Sequence, residues 1–176
     1  MVEPAIAIRR LTNVTPDDVA ALADVLIDCV AGGASVGFLD PLDADRARTY
    51  WRDVAGAVAR GERALLVAED SDGIVGTVQL VPAVMENQPH RADLSKMLVH
   101  RRARRRGVGR ALMDAAEAVA RDWGRTLLVL DTVPGTDAER LYVALGWQRV
   151  GVIPGYALWP NGQRCDTTVY YLELAG

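Results

Sequence analysis

The chain has 176 residues, half of them apolar, a mean hydropathy of +0.06 and a formal charge of −3. A chain of this size buries one sizeable core, so a single domain over residues 1–176 is expected. No apolar run reaches the roughly 18 residues of a membrane span, and two isolated cysteines with two histidines offer no metal-ligand spacing, which leaves Cys29 and Cys165 as free thiols and no metal. The start, MVEPAIAIRRL, lacks a basic region followed by an apolar run and a cleavage site, so a cytoplasmic location is expected.

In chain order, residues 5–11 alternate in the manner of a strand. Thr15-Pro16-Asp17-Asp18 supplies a cap, a proline for the first helical position and acidic residues for the first turn, opening a helix over 16–30 with Val19, Leu22, Leu26 and Val30 on one face. The glycine-rich segment 32–38 cannot continue it. A second helix follows Asp43, with Ala47, Tyr50, Trp51, Val54 and Val58 facing inward. Residues 64–69 and 74–81 are apolar runs joined by Asp70-Ser71-Asp72-Gly73, a hairpin signal, and Pro82 ends the second of them or puts a bulge in it. A polar loop then leads to a buried strand over 94–99, with Asp93 near its start as either a functional carboxylate or a solvated strand end.

Arg104-Arg105-Arg106-Gly107-Val108-Gly109 follows as a turn with two glycines, and from Val108 apolar residues recur at 108, 111, 112, 115, 119 and 123, the face of a helix that stops at Gly124. The N–H groups at such a helix start have no intrahelical partners and carry partial positive charge, so the turn is a preformed anion site able to take a pyrophosphate. Arginines at 101, 102, 104, 105 and 106, with Arg110, add mobile positive charge: residues 91–110 sum to +7 and the rest to −10. A solvated basic loop is the plain alternative. A P-loop is excluded because no Gly-Lys-Ser/Thr occurs, and a dinucleotide fingerprint would need glycine where Leu112 stands. The positive charge is local and aromatics are few, which argues against nucleic acid as partner. Lys96 is the only lysine against 19 arginines, a bias consistent with genome composition.

Residues 126–130 form a buried strand ending in Asp131-Thr132. Parallel pairing with 94–99 through a right-handed crossover puts the basic turn and Asp131 at one carboxyl edge of the sheet, where ligands bind. Thr136-x-x-Glu139 is a capping-box match opening the last helix, which carries Leu141, Tyr142 and Leu145 and ends at Gly146. Strands over 148–153 and 167–174 close the sheet, with 154–162 as a long loop. The fold class is α+β, a mixed central sheet of about seven strands flanked by about four helices.

Arg104-x-x-Gly107-x-Gly109 after an apolar strand resembles the Arg/Gln-x-x-Gly-x-Gly/Ala pyrophosphate loop of the GCN5-related N-acetyltransferases (GNAT). Asp93-Leu-Ser-Lys-Met-Leu-Val99 is similar to that family's central strand, and Ala138-x-x-x-Tyr142-x-x-Leu145-Gly146-Trp147 to its last helix. The resemblance covers residues 64–150 and departs at Gly135, where members often carry Asn. It implies the GNAT fold, acetyl-CoA as cosubstrate and direct acetyl transfer to an amine, with cofactor contacts at Met97, Leu98, Val99, Arg104, Arg105, Arg106, Gly107, Val108, Gly109, Arg110 and Thr132. Within the family, Gly32 to Phe38, Leu130-Asp131-Thr132 and Pro154-Gly155-Tyr156 with Pro160-x-Gly162 are similar to the tabtoxin-resistance acetyltransferase. That similarity implies acceptor contacts at Ser35, Gly37, Phe38, Asp131 and Tyr156, and a small polar amine as acceptor, with β-lactam amino acids and related toxins or antibiotics in the class.

The chemistry asks for a base toward the acceptor ammonium, a donor for the carbonyl oxygen and an acid for the departing thiolate. Asp131 is the first candidate base and Asp93, through water, the second. Tyr142 is the candidate acid, a phenol that stays protonated at neutral pH, against the alternative of a core tyrosine. The competing readings are a protein or peptide N-acetyltransferase, a coenzyme-A-binding regulator and a nucleic-acid module. A small-molecule amine is the expected partner, with no membrane and no nucleic acid, and a homodimer is left open.

Overall fold

Side chains start three of the four helices in the computed structural model, which describes residues 5–174. Thr15 and Asp18 cap α1 (Pro16–Ala31) reciprocally, and Asp43 caps α2 (Ala44–Ala59). Thr136 accepts from the Glu139 N–H at the start of α4 (Asp137–Ala144), but the Glu139 carboxylate reaches the N–H of Gly135, one residue before the cap. Only α3 (Val108–Asp122) begins without a side-chain cap, at Gly107 with φ 75°.

The strands are β1 (Ala7–Leu11), β2 (Ala64–Asp70), β3 (Gly73–Pro82), β4 (Arg91–Val99), β5 (Leu127–Thr132), β6 (Gln148–Leu158) and β7 (Arg164–Glu173), in one sheet ordered β1-β2-β3-β4-β5-β7-β6. Every neighbouring pair is antiparallel except β4 with β5. The start of the chain, residues 1–4, on which the leader reading partly rests, lies outside the described residues. No helix among the described residues is long and apolar enough to cross a membrane.

Three boundaries differ from expectation, one of them β7, which starts at Arg164 and not at 167. β4 starts at Arg91, because Ala92 pairs with both Pro82 and Leu128, so Asp93 lies inside the strand. The expected loop over 154–162 is largely strand: β6 runs through Pro154-Gly155-Tyr156 with a register shift between Ile153 and Ala157. β6 is an edge strand, where a bulge can accommodate proline.

Residues alternate between two apolar layers. Leu66, Val78, Leu94, Leu128 and Leu130 face α3 and α4 with Leu112, Met113, Tyr142 and Trp147. Leu65, Val67 and Leu98 face α1 and α2 with Leu22, Leu26 and Trp51.

Two irregularities shape the centre. The parallel pairing stops after Arg91–Leu127, Ala92–Leu128 and Asp93–Val129, so the carboxyl halves of β4 and β5 separate. On its other side β4 bulges: its register against β3 slips between Thr77 and Gln79, and Lys96 sits at φ 51°.

Candidate active site

The Arg-rich turn divides its charges between arginines held in ion pairs and arginines outside them. Arg101 pairs with Asp28, while Arg102 and Arg106 converge on Asp70 at 2.7 and 3.3 Å. These three arginines hold the turn against α1 and β2, so the expectation that all five supply mobile charge is corrected. Burial works to raise the Asp70 carboxyl, but the hydrogen bonds from Arg102 and the Asp72 N–H, with the Arg102 charge, outweigh it and hold the group below its usual range. A depressed carboxylate contributes stability above its unfolded pKa of roughly 3.9 and loses it as pH falls through the folded value. Asp70→Asn is therefore expected to lower the melting temperature at neutral pH, with the gap to wild type closing in acid, as thermal melts across pH would show.

Arg104, Arg105 and Arg110 make no ion pair among the described residues, and Arg104 donates to the Val99 carbonyl at 3.3 Å and lies against the Cys29 thiol. Beside them stands the uncapped start of α3, where the first hydrogen bond runs from Ala111 N to Gly107 O and leaves the preceding N–H groups without helical partners. Donors and guanidiniums together fit a diphosphate. The two glycines serve different ends. Gly107 is needed for its positive φ, whereas Gly109 makes room for a neighbour: a Cβ there would lie 2.9 Å from Leu141 Cδ2 on α4.

His100 N donates to Val75 O on β3, so by alternation the backbone groups of Val99 and Met97 face away from β3, toward the split. Leu98 differs from both: it is opposite Thr77 and its side chain is buried in the α1 and α2 layer. Thr132, at the end of β5, gives its carbonyl to Thr167 Oγ1 at 3.2 Å. Val108 is buried under the start of α3.

Register brings the two candidate carboxylates to one face. Asp93 is level with Val129, and Asp131 follows Val129 by one strand period. Asp131 is exposed and accepts from Thr167 Oγ1 at 2.8 Å. Burial pushes the Asp93 carboxyl above the ordinary range, Arg91 at 3.3 Å opposes the shift and the Asp131 charge adds to it. Tyr142 is buried against Trp147, ring centroids 6.1 Å apart, and its hydroxyl makes no hydrogen bond to a described residue. Burial first, and the Asp131 charge second, raise its phenol well above the ordinary value, so it is protonated throughout the physiological range. Asp131 thus acts electrostatically on Asp93, Tyr142 and Lys96 alike.

The expected acceptor contacts fall into two groups. Ser35, Gly37 and Phe38 lie in the segment between α1 and α2: Ser35 Oγ donates to Leu158 O at 2.7 Å, Phe38 packs edge-on against Tyr50 at 5.4 Å, and Gly37, at φ 91°, stands beside Lys96 Nζ. Asp40 N donates to Pro160 O at 3.0 Å, so the segment is fastened to the β6–β7 end of the sheet. Tyr156 is 57% exposed on β6 and makes no hydrogen bond or ring contact with this group. Lys96, Arg63, Tyr50 and Gln79, none of them singled out for the site by sequence pattern, lie together on this face. A lysine inside an otherwise buried apolar strand was the available signal. No group of side chains suited to a metal ion occurs among the described residues.

Comparison with known proteins matches the fold and one family profile. The profile of the acetyltransferase (GNAT) family matches residues 20–147. Among solved structures, yncA from Salmonella typhimurium, determined with its cofactor acetyl-CoA, superposes with a TM-score of 0.78 at 21% identity, covering 97% of this chain and 95% of its own. The ribosomal-protein-alanine N-acetyltransferase from Brucella melitensis gives 0.78 at 24%, covering 96% and 99%. A protein proposed to be a phosphinothricin N-acetyltransferase gives 0.80 at 20%, covering 98% and 100%.

Proposed function

Because the chain belongs to the acetyltransferase (GNAT) family, we propose that it is an acetyl-CoA-dependent N-acetyltransferase acting by direct transfer on the amine of a small polar acceptor, a class that includes β-lactam amino acids and related toxins. The observation that carries the reading is the position of Asp131, at the separating ends of β4 and β5, with its charge bearing on Asp93 and Tyr142 together. Acetyl-CoA brings the acetyl group as an activated thioester. Arg104, Arg105, Arg110 and the first N–H groups of α3 hold its diphosphate. The Met97 and Val99 N–H groups are available to the carbonyl oxygen as it gains charge. Asp131 holds the acceptor ammonium and takes its proton, with Asp93, whose carboxyl burial raises, as the alternative through water. Tyr142 gives its proton to the departing sulfur.

Smallness of the acceptor is supported by the fastening of the 32–42 segment to Leu158 and Pro160 and by Gly37 standing beside Lys96, which together cover this face of the sheet. Free-thiol release from acetyl-CoA across amino acids, β-lactam amino acids, polyamines, aminoglycosides and peptides tests the proposal. Release with one small-molecule class supports it, release with peptides alone would reassign the acceptor, and coenzyme A binding without release over the panel would make the protein a binder.

Asp131→Asn is expected to lower kcat at saturating acceptor while leaving acetyl-CoA affinity near wild type. A rise in acceptor KM with kcat unchanged would instead make Asp131 an ammonium-binding group and move the proton to Asp93 or solvent.

A further inference from the structure

Lys96 is the single lysine of the chain, and its place is elaborately prepared. β4 bulges at this residue and holds it in a left-handed backbone conformation that a lysine rarely adopts. Its Nζ lies 5.7 Å from the centroid of the Tyr50 ring and close to Gly37, where a Cβ would stand 3.7 Å away. The ammonium makes no hydrogen bond or ion pair with any described residue.

A second cation shares the face. Arg63, just ahead of β2, donates from Nη1 to Gln79 Oε1 at 2.8 Å, and Gln79 Nε2 donates to the Tyr50 hydroxyl at 3.0 Å. The Arg63 Nε is buried without a hydrogen-bond partner, and no carboxylate among the described residues lies within ion-pair distance of Arg63. The charges of Arg63 and Asp131 both act on Lys96: burial depresses its pKa, Asp131 counters and Arg63 adds to the depression. Two half-buried cations with spare donors therefore share one sheet face with Asp93 and Asp131. Charge held this way is costly unless an anion completes it.

Resting on the acetyl-transfer reading above, we infer that the acceptor is an amino acid whose carboxylate is bound by Lys96, with Arg63 behind it, while its amine faces Asp131. Such a site disfavours polyamines, since a second ammonium would be brought against Lys96, and it disfavours peptides, whose terminal amine has no carboxylate beside it.

The test compares the proteinogenic L-amino acids and β-lactam amino acids with their carboxamides, reading both thiol release and binding to the coenzyme-A-loaded protein. Wild type should prefer acid over amide in kcat/KM by on the order of 10- to 100-fold, the range of one charge-assisted contact. Lys96→Met, which keeps chain length and apolar stem, should bring that ratio close to one by raising acceptor KM, with acetyl-CoA KM unchanged, and Lys96→Arg should keep the preference. Equal use of acid and amide by wild type overturns the inference and leaves acetyl transfer standing, and needs no variant to fold. A preference that survives in folded Lys96→Met also overturns it. Carboxylate-dependent binding that is lost in Lys96→Met, with no thiol release by wild type, would keep the anion site and remove the transferase reading.

Discussion

Tyr142→Phe is expected to reduce kcat by roughly 10²- to 10⁴-fold, the range of a lost general acid, while acetyl-CoA affinity and melting temperature stay near wild type. The structure makes this a clean substitution. The ring contributes to the α3 and α4 layer and contacts Trp147 at 6.1 Å, and phenylalanine keeps both. The hydroxyl has no hydrogen-bond partner among the described residues, so removing it orphans no buried group. A core tyrosine would show no change at all. Single-turnover rates separate the cases, because a slow release step can mask a chemical defect at steady state. A variant with wild-type single-turnover rate would return Tyr142 to the core and leave the thiolate without an assigned acid.

Gly109→Asp is expected to weaken coenzyme A binding by about 100-fold or more, since setting like charges together costs several kcal/mol. Here the added negative charge lies in the first turn of α3, where the diphosphate is proposed to bind. The side chain brings a steric effect as well, because its Cβ would fall 2.9 Å from Leu141 Cδ2. Gly109→Ala isolates that part: Leu141 ends in a flexible methyl that can move, so the alanine variant should bind within a few-fold of wild type. Calorimetric titration with coenzyme A decides. Full affinity in folded Gly109→Asp would remove the turn as the diphosphate site. Equal losses in both variants would assign the defect to packing between α3 and α4.

Helix starts and the hairpin were legible because their causes are local. Thr15 and Pro16 set the start of α1, apolar spacing from Val108 drew α3, and Asp70 to Gly73 marked a turn. The extent of β4 was not, since Arg91 and Asp93 look like loop until pairing with β3 and β5 recruits them. Pro154 and Gly155 read as loop for the same reason: their propensities oppose a strand, and the long register of β6 on β7 overrides them. Asp131 and Tyr142 could be picked out from their places at a strand end and on a helix face. Their electrostatic coupling arises from tertiary proximity across the fold, which no local pattern encodes. The basic turn misled in one respect, because the partners of Arg101, Arg102 and Arg106, Asp28 and Asp70, lie far away in sequence. A lone lysine in a sequence looks like compositional bias, and only the bulge and its neighbours set Lys96 apart.

The fastening of the segment between α1 and α2 to the far end of the sheet bears on how acceptor choice can change. Ser35 is bonded to Leu158, with the Cys165 thiol donating to its hydroxyl at 3.6 Å, and Asp40 is bonded to Pro160. The two segments, separated by more than a hundred residues, are therefore one mechanical unit. A graft of residues 32–42 alone from a relative would arrive without its anchor, and a graft of 154–165 alone would release the resident segment. Transplanted specificity is expected to require both segments at once, and drift in one during evolution would be tolerated only with matching change in the other.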